Sequence, residues 1–387
     1  MGHEGRFRGL CGRRIRRNPE LNVEPPNGPH GGRKSGRLRA GLSLNSIVRS
    51  RKTGAAVGTI DPEAARLCRA LTRPRILSSD LIGDEERAQQ STLVRLIFDN
   101  VLQLESARGS FVHGIEAYLE LRPRHASALR EDSTHPLLTR SLQAVHQAAL
   151  LSHLEPSELG RRLYGFNSHP RTEAWRALLP TGSATAKWIG LSSKSPSVRR
   201  LGAYYSILRP ASPADPWLRW QLRRIDRRAA LCYKLYVSPA PGDLPSAFEQ
   251  VAELCTEMRI PAMKVGRTLQ AVLRPDKLVL YSSARTDVQA IARELQTVLT
   301  SVSPQGAPFT SPIDPTGLIS WGVDPGPNSP LGPRRETSWR QFVSGTLARA
   351  LSVPGRGNPS TRAEFALERA RVEGIATDDW SPCEVGW

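Results

Sequence analysis

The sequence lacks the long apolar run that a membrane segment requires. None of its hydrophobic stretches approaches the roughly 20 consecutive apolar residues that span a bilayer. The arginine-rich segment 13–17 is not followed by the apolar core of a secretory signal. We therefore expect a cytoplasmic protein that has no membrane partner.

Side chains that hold metals or form disulfides are scarce. The five cysteines are scattered and odd in number, and no two of them form a CxxC pair. This pattern predicts neither a zinc site nor a disulfide framework. None of the eight histidines lies after His169; His146 and His153 share one side of a predicted helix without a third metal-type neighbour. We expect no metal and no cofactor.

Familiar catalytic and nucleotide-binding motifs are missing as well. The chain has no GxSxG, HExxH or GxGxxG segment. Residues 31–35, GGRKS, look like the end of a phosphate-binding loop, but Arg33 separates the glycine from the lysine. No strand is predicted before this segment and no helix after it, so we do not predict a nucleotide site there.

Positive charge is abundant and unevenly distributed. The formal net charge is +18, and residues 1–52 hold 13 Lys and Arg against three Glu, which gives +10 and leaves +8 for the rest of the chain. The first 57 residues are rich in Gly, Pro and Arg and show no hydrophobic periodicity. We predict that residues 1–57 form a disordered basic tail. Such a tail would bind nucleic acid only non-specifically.

Two regions of different character follow the predicted tail. Residues 58–180 show helical spacing, for example at Leu93, Ile97 and Leu104, and we predict a helical region there. The pattern changes after residues 179–182, LPTG, where strand-like and helix-like segments begin to mix. We predict that residues 181–387 form an α+β domain.

Six segments of that domain follow in the order strand, helix, strand, strand, helix, strand. They cover residues 233–237, 244–258, 263–265, 278–281, 286–302 and 317–323. This order is typical of the split βαβ fold, in which two helices cover one face of an antiparallel sheet. The predicted fold class is therefore α+β, with the opposite sheet face open for a ligand or for the helical region.

Five cations lie within or beside these short strands. They are Lys234, Lys264, Arg267, Arg274 and Lys277. Cations that converge on one small sheet indicate an anionic ligand, and phosphate is the commonest one. The alternative for each is an ordinary exposed residue that pairs with solvent or with Asp276. Lys234 could equally protect a sheet edge from aggregation.

Two further segments leave alternatives open. Residues 217–228, WLRWQLRRIDRR, could stack on a nucleic acid or a peptide. The interpretation we favour is an amphipathic helix whose Trp217, Leu218 and Ile225 pack inside while the arginines are solvated. Asp324 precedes a proline at the end of a predicted strand. Its carboxylate could act as an acid, a base or an orienting partner, or it could cap the turn.

Residues 233–351 resemble the type III effector-like lyases that accompany class V lanthipeptide kinases. The matching segments stand in the family's order and are YKLYVSP, the MKV strand, RPDKLVLY, PFT, GLISWGVDP and SW…LARAL. Together they span about a third of the chain. The family has a glycine after its Ser-aromatic pair and an arginine soon after, where this chain has Arg340 and Val343.

The resemblance implies an enzyme that removes phosphate from phosphorylated Ser or Thr of a ribosomally made precursor peptide and leaves a dehydro amino acid. Lys264 would be the base for the Cα proton, Asp324 is the second catalytic candidate, and the general acid is unassigned. The phosphate would be held by Lys234, Arg267, Arg274 and Lys277. The partners would be the precursor peptide and a peptide kinase.

Two functions of other classes remain alternatives. One is a non-catalytic module that holds a peptide on the open sheet face for a partner enzyme. The other is a polyanion-binding protein that acts through its basic N-terminal residues. Loss of phosphate from a phosphopeptide would separate the lyase from both.

Overall fold

The computed structural model describes residues 10, 13–24, 46–54, 56–71, 75–76, 84–122, 135–208, 212, 215–224, 231–325 and 337–383. The chain divides into two compact units. The first unit comprises Met1–Leu129 and Arg349–Glu373, and the second comprises Arg130–Ala348 and Gly374–Trp387. The predicted boundaries at residues 57 and 180 stay predictions.

The first unit combines two small antiparallel sheets with helices. Its elements are β1 (Arg14–Arg17), β2 (Leu21–Glu24), β3 (Ser46–Ser50), β4 (Ala56–Ile60), α1 (Pro62–Ala70), β5 (Arg75–Ile76), α2 (Asp84–Phe98), β6 (Leu102–Glu105), β7 (Phe111–Val112), α3 (Gly114–Leu121) and α13 (Pro359–Val372). One sheet has the strand order β5-β1-β6-β7 and the other β2-β3-β4. T-shaped contacts join Phe98, Tyr118 and Phe365 in its core.

Strands β1, β2 and β3 lie within the segment that the sequence predicted as a disordered tail. Ile15 of β1 is completely buried, and Val48 of β3 is buried as well. Each stands among arginines and small polar residues in a strand of four or five residues, which is too short to show a periodicity. The rest of the predicted tail is described only in part, since residues 1–9, 11–12, 25–45 and 55 lie outside the described ones.

The second unit carries a larger sheet with helices. Its elements are α4 (Pro136–Leu150), α5 (Pro156–Tyr164), α6 (Glu173–Leu178), α7 (Gly182–Ile189), α8 (Pro196–Tyr204), β8 (Tyr205–Ile207), β9 (Trp217–Leu222), β10 (Tyr233–Val237), α9 (Leu244–Met258), β11 (Ala262–Gly266), α10 (Leu269–Val272), β12 (Leu278–Ser282), α11 (Arg285–Val298), β13 (Ser311–Pro312), β14 (Ile319–Val323), α12 (Trp339–Leu351), β15 (Ile375–Ala376) and β16 (Ser381–Pro382). The last three residues of α12 belong to the first unit. No described helix is long and apolar enough to cross a membrane.

The main sheet has seven antiparallel strands in the order β13-β14-β10-β12-β11-β9-β8. Its four central strands and the helices α9 and α11 follow the predicted order β10-α9-β11-β12-α11-β14. The structure therefore confirms the predicted α+β class, and the split βαβ pattern describes its centre.

Apolar side chains lie on one face of this sheet. They include Leu235, Val237, Met263, Val265, Leu278 and Leu280. Phe248 and Val251 of α9 and Ile291 and Leu295 of α11 belong to the same core cluster. Because successive strand residues point to opposite faces, the residues between these apolar positions form a second, polar face.

Strand β9 replaces the helix that the sequence favoured for residues 217–228. Six residues, Trp217 to Leu222, pair with β11. The segment alternates with period two: Trp220 packs in the apolar core, whereas Arg219 faces the other way. The helical interpretation was wrong for these six residues because tryptophan and arginine suit both periods; residues 225–228 lie outside the described ones.

Candidate anion site on the polar sheet face

The register of the sheet places two of the predicted site residues, Lys234 and Lys264, on the polar face. Lys234 of β10 lies opposite Tyr281 of β12 and Gly322 of β14. One row further along the sheet, the order across the strands is Ser320, Tyr236, Val279, Lys264 and Arg219. The two lysines therefore belong to neighbouring rows of one surface.

Lys234 is buried and ion-paired. Its ammonium contacts a carboxylate oxygen of Asp324, and it lies 5.2 Å from the centroid of the Tyr281 ring. The other carboxylate oxygen of Asp324 accepts a hydrogen bond of 2.9 Å from the backbone N–H of Trp339, at the start of α12. Asp324 thus orients Lys234 and also accepts a hydrogen bond from the first turn of this helix. Its role as an acid or a base stays a prediction.

Among the five predicted anion-binding cations, Lys264 has the fewest partners within the described residues. Its Nζ lies 4.4 Å from the Trp217 ring and 6.0 Å from the Tyr281 ring. Its side chain is partly exposed, and no described residue accepts a hydrogen bond from it or forms an ion pair with it. Burial lowers the pKa of Lys264 to about 7, and the ammonium of Lys234 acts in the same direction. A neutral amine is therefore available near neutral pH.

Arg274 is held by a buried carboxylate. Its guanidinium donates to both oxygens of Asp276, at 2.8 and 2.7 Å, and to the hydroxyl of Tyr164 at 2.6 Å. The guanidinium carbon also lies 5.2 Å from the Trp217 ring, which Lys264 contacts as well. Asp276 and Tyr164 thereby fix the direction of Arg274 beside Lys264.

Asp276 also pairs with Arg340, which is almost completely buried. The distance from Nη1 of Arg340 to Oδ2 of Asp276 is 3.3 Å. Burial alone would raise the pKa of the Asp276 carboxyl, but Arg340 and Arg274 hold that pKa well below its usual range. Arg340 further donates to the backbone oxygens of Pro308, at 3.0 Å, and Tyr164, at 2.8 Å.

The remaining two predicted phosphate ligands have backbone and side-chain acceptors. Arg267 is partly buried, and its Nε donates to the backbone oxygen of Asp215 at 2.9 Å. Lys277 is completely buried. Its ammonium donates to the backbone oxygen of Pro239 at 2.6 Å and to the side-chain oxygen of Gln305. Burial lowers the pKa of Lys277 to about 7.

The structure thus brings together four of the six predicted site residues. They are Lys234, Lys264, Arg274 and Asp324. Arg340, Asp276 and Tyr164 complete the network, and sequence reasoning had assigned none of them to the site. No local pattern marks these three, since Tyr164 comes from α5 and Arg340 from α12. Lys234, Arg274 and Arg340 outnumber the two carboxylates, and Lys264 adds a further positive charge when it is protonated, so the site favours an anion.

Two aromatic side chains beside this network carry unpaired polar groups. The hydroxyl of Tyr236 and the indole N–H of Trp339 are buried and have no hydrogen-bond partner among the described residues. The Trp339 ring lies directly over Gly322: a Cβ at position 322 would stand 2.3 Å from Cδ1 of Trp339. Within the described part of the chain, no three His, Cys, Asp or Glu side chains are placed to hold a metal ion.

Comparisons with known proteins show only distant likeness. An effector protein from Pseudomonas syringae pv. syringae strain 61 shares 12% identity with a TM-score of 0.37, over 63% of this chain and 97% of that one. The type III effector/phosphothreonine lyase OspF from Shigella flexneri shares 14% with a TM-score of 0.28, over 36% and 88%. No family model matches the chain, and no curated protein matches it in sequence. At such low similarity, function must be argued from the site itself.

Proposed function

We propose that the protein is a phosphate-eliminating lyase that acts on phosphorylated Ser or Thr of a ribosomally made precursor peptide. The observation that carries this proposal is Lys264, an amine with a pKa of about 7 and no acceptor among the described residues. A free amine surrounded by ion-paired cations suits the removal of a proton next to an anionic group.

The roles follow from the contacts. The neutral Lys264 amine takes the Cα proton of the phosphorylated residue, and the electron pair forms the Cα–Cβ double bond as the Cβ–O bond breaks. Arg274 and Lys234 bind the phosphate and neutralise the charge that grows on it. The positive charges of both cations lie close enough to Lys264 to lower its pKa.

Two carboxylates position the cations. Asp276 orients Arg274 through two hydrogen bonds, and Arg340 in turn holds Asp276 ionised. Asp324 orients Lys234. A phosphate oxygen can replace the Asp324 contact to Lys234, because that carboxylate keeps its hydrogen bond from Trp339. Arg267 stays a predicted phosphate ligand, and Lys277 has no part in the mechanism because its ammonium donates to the internal acceptors Pro239 and Gln305.

Substitution of Lys264 by Met tests the proposal. Mass spectrometry should detect loss of phosphoric acid from phosphoserine and phosphothreonine peptides with the parent protein and none with Lys264→Met. Phosphopeptide binding should persist, since Arg274 and Lys234 are unchanged. The exposed residue Lys194 supplies the matched control, because Lys194→Met removes one lysine far from the polar sheet face in sequence and should eliminate phosphate at the parent rate.

Two outcomes would contradict the proposal. If the parent protein binds phosphopeptides, including its native precursor peptide, but leaves all of them intact, the module is a peptide-binding partner without this chemistry. If Lys264→Met eliminates phosphate as fast as the parent, Lys264 is not the base.

A further inference from the structure

The hydroxyl of Tyr236 is a buried donor without a partner. Tyr236 is 2% exposed, and its hydroxyl has no hydrogen-bond partner among the described residues. Burying a hydroxyl unpaired is unfavourable, so such a group in a folded protein calls for an explanation, for example a ligand that pairs with it. Tyr205, on the same sheet, shows the ordinary arrangement: its hydroxyl donates to the backbone oxygens of Cys255 and Ile260.

The position of Tyr236 relates it to the proposed base. Tyr236 and Lys264 lie in one row of the polar face and flank Val279, one on each side. Neighbouring strands are about 4.8 Å apart, so their backbones are separated by roughly 10 Å. Val279 itself is completely buried, so a phosphorylated residue must lie above this row, with the Lys264 amine towards one end and the Tyr236 hydroxyl towards the other. Lys234 lies on the same face as Tyr236, two residues before it in β10.

We propose that Tyr236 is the proton donor to the leaving phosphate, an inference that rests on the proposed lyase function. Lys264 takes the Cα proton, the Cβ–O bond breaks toward oxygen, and the Tyr236 O–H gives its proton to that same oxygen. Hydrogen phosphate leaves, and a phenolate and an ammonium stay behind. A proton passing from the Lys264 ammonium to the Tyr236 phenolate, through water that enters as the products leave, restores both groups.

Tyr236 holds the proton that this leaving group needs. Expelled without a proton, the phosphate of a dianionic ester would carry three negative charges, so a weak acid suffices to protonate it. Burial raises the pKa of Tyr236 well above its usual value, with Asp324 acting in the same direction, so the hydroxyl stays protonated through the neutral range. Because the hydroxyl is closed to solvent in the free protein, substrate binding must shift a neighbouring side chain to reach it.

Paired Tyr→Phe variants of the full-length protein test the assignment. Tyr236→Phe should lower kcat for elimination from a phosphothreonine peptide by about 10²- to 10⁴-fold, the range of general acid catalysis, with an unchanged Kd for the peptide. Its melting temperature should be equal to or above that of the parent, because an unpaired buried hydroxyl is removed. Tyr205→Phe should do the reverse, with a lower melting temperature and an unchanged kcat.

Each result bears on one hypothesis. An active parent with a fully active Tyr236→Phe variant overturns the role of Tyr236 and leaves the lyase proposal standing. Weaker peptide binding in step with the fall in kcat also overturns it, since the tyrosine would then bind substrate rather than serve the bond-breaking step. A parent that eliminates no phosphate refutes the lyase function itself, and the inference with it.

Discussion

Lys264 differs from its neighbouring cations in one physical respect: it has no ion pair of its own among the described residues, and the carboxylates of Asp276 and Asp324 act on it only from a distance. Lys234 is paired with Asp324, and Arg274 with Asp276. Burial and the Lys234 ammonium instead destabilise the charged form of Lys264. In the proposed mechanism, one residue type therefore serves as an anion ligand at position 234 and as a base at position 264.

This contrast predicts a pH dependence of elimination. The base must be neutral, so kcat/KM should rise with pH through about 7, where Lys264 loses its proton, and then level off. Lys234→Met removes the positive charge that lowers the pKa of Lys264, so the rise in kcat/KM should move to higher pH. The same substitution should also weaken peptide binding. Initial rates between pH 5 and 9 measure both profiles. A parent profile that is flat across that range would exclude Lys264 as the titrating base.

Asp276 illustrates the opposite case, a buried carboxylate kept ionised by two arginines. Asp276→Asn leaves the buried Arg340 and the partly buried Arg274 without their counter-charge and should lower the free energy of unfolding by about 3–5 kcal/mol. The folded pKa of Asp276 lies below the unfolded one, so its stabilisation is present above about pH 4 and is lost as the pH falls. Urea unfolding at pH 7 and pH 3 measures the difference.

The free energies of unfolding of the parent and of the Asp276→Asn variant should therefore become more similar at low pH. The variant has no carboxyl at this position, so its loss of stability relative to the parent should be largest at pH 7 and smaller at pH 3. An equal loss at both pH values would contradict the ionised state assigned to Asp276.

At the scale of elements, the contact of α12 with β14 depends on Gly322. The indole of Trp339 occupies the space that a side chain at 322 would need, since a Cβ there would lie 2.3 Å from Cδ1. Gly322→Ala must displace Trp339, whose backbone N–H binds Asp324, the partner of Lys234. We expect a loss of about 1–3 kcal/mol in stability, together with weaker phosphopeptide binding.

Gly202 in α8 provides the control for this substitution. Outside the neighbouring residues and backbone of α8 itself, no described atom lies within 4 Å of a Cβ built at 202, so Gly202→Ala should be neutral or stabilise the helix by about 0.5–1 kcal/mol. Thermal unfolding and phosphopeptide titration distinguish the two variants. A Gly322→Ala protein with unaltered binding would show that the position of α12 does not influence the site.

The sequence predicted the elements of the sheet better than it predicted the site. The lengths of the segments and the alternation of apolar with polar residues were enough to predict the order β10-α9-β11-β12-α11-β14, because each strand has an apolar side. The same pattern could not separate Lys264 from Lys277, since both are cations beside apolar runs. The two lysines are distinguished only in the folded protein, where Pro239 and Gln305 accept hydrogen bonds from Lys277.

Site residues that are distant in sequence could not be predicted for a related reason. Tyr164 reaches Asp276 across 112 positions of the chain, and Arg340 reaches the Tyr164 backbone across 176. No spacing rule connects such pairs in a single sequence. Strand β9 was mistaken for a helix because Trp217 to Leu222 is short and its arginines suit either structure.

At the scale of the whole molecule, the positive charge has two separate locations. The candidate anion site lies entirely in the second unit. More than half of the net charge of +18 instead belongs to residues 1–52, which carry +10. Exposed charges bind polyanions in a strongly salt-dependent way, whereas buried pairs are screened much less. Salt should therefore separate binding by the N-terminal cations from binding by the site.

Charge substitution is a better test of the N-terminal cations than their removal. Deleting residues 1–52 would also remove Ile15 and Val48, which are buried in strands β1 and β3. The quadruple substitution of Arg33, Lys34, Arg37 and Arg39 by Gln instead changes only cations within residues 25–45, which lie outside the described residues. In duplex DNA binding, the slope of log K against log salt should shrink by about 0.9 for each DNA phosphate that these cations no longer neutralise.

Elimination should respond differently to the same substitutions. The parent and the quadruple variant should have equal kcat/KM on a phosphothreonine peptide, because Lys234, Lys264 and Arg274 are untouched. Electrophoretic mobility shifts at about 50 and 200 mM salt and the mass-spectrometric rate assay give the two readouts. If kcat/KM fell as steeply as DNA affinity, the N-terminal cations would take part in peptide capture, and the anion site of the second unit would not bind its substrate alone.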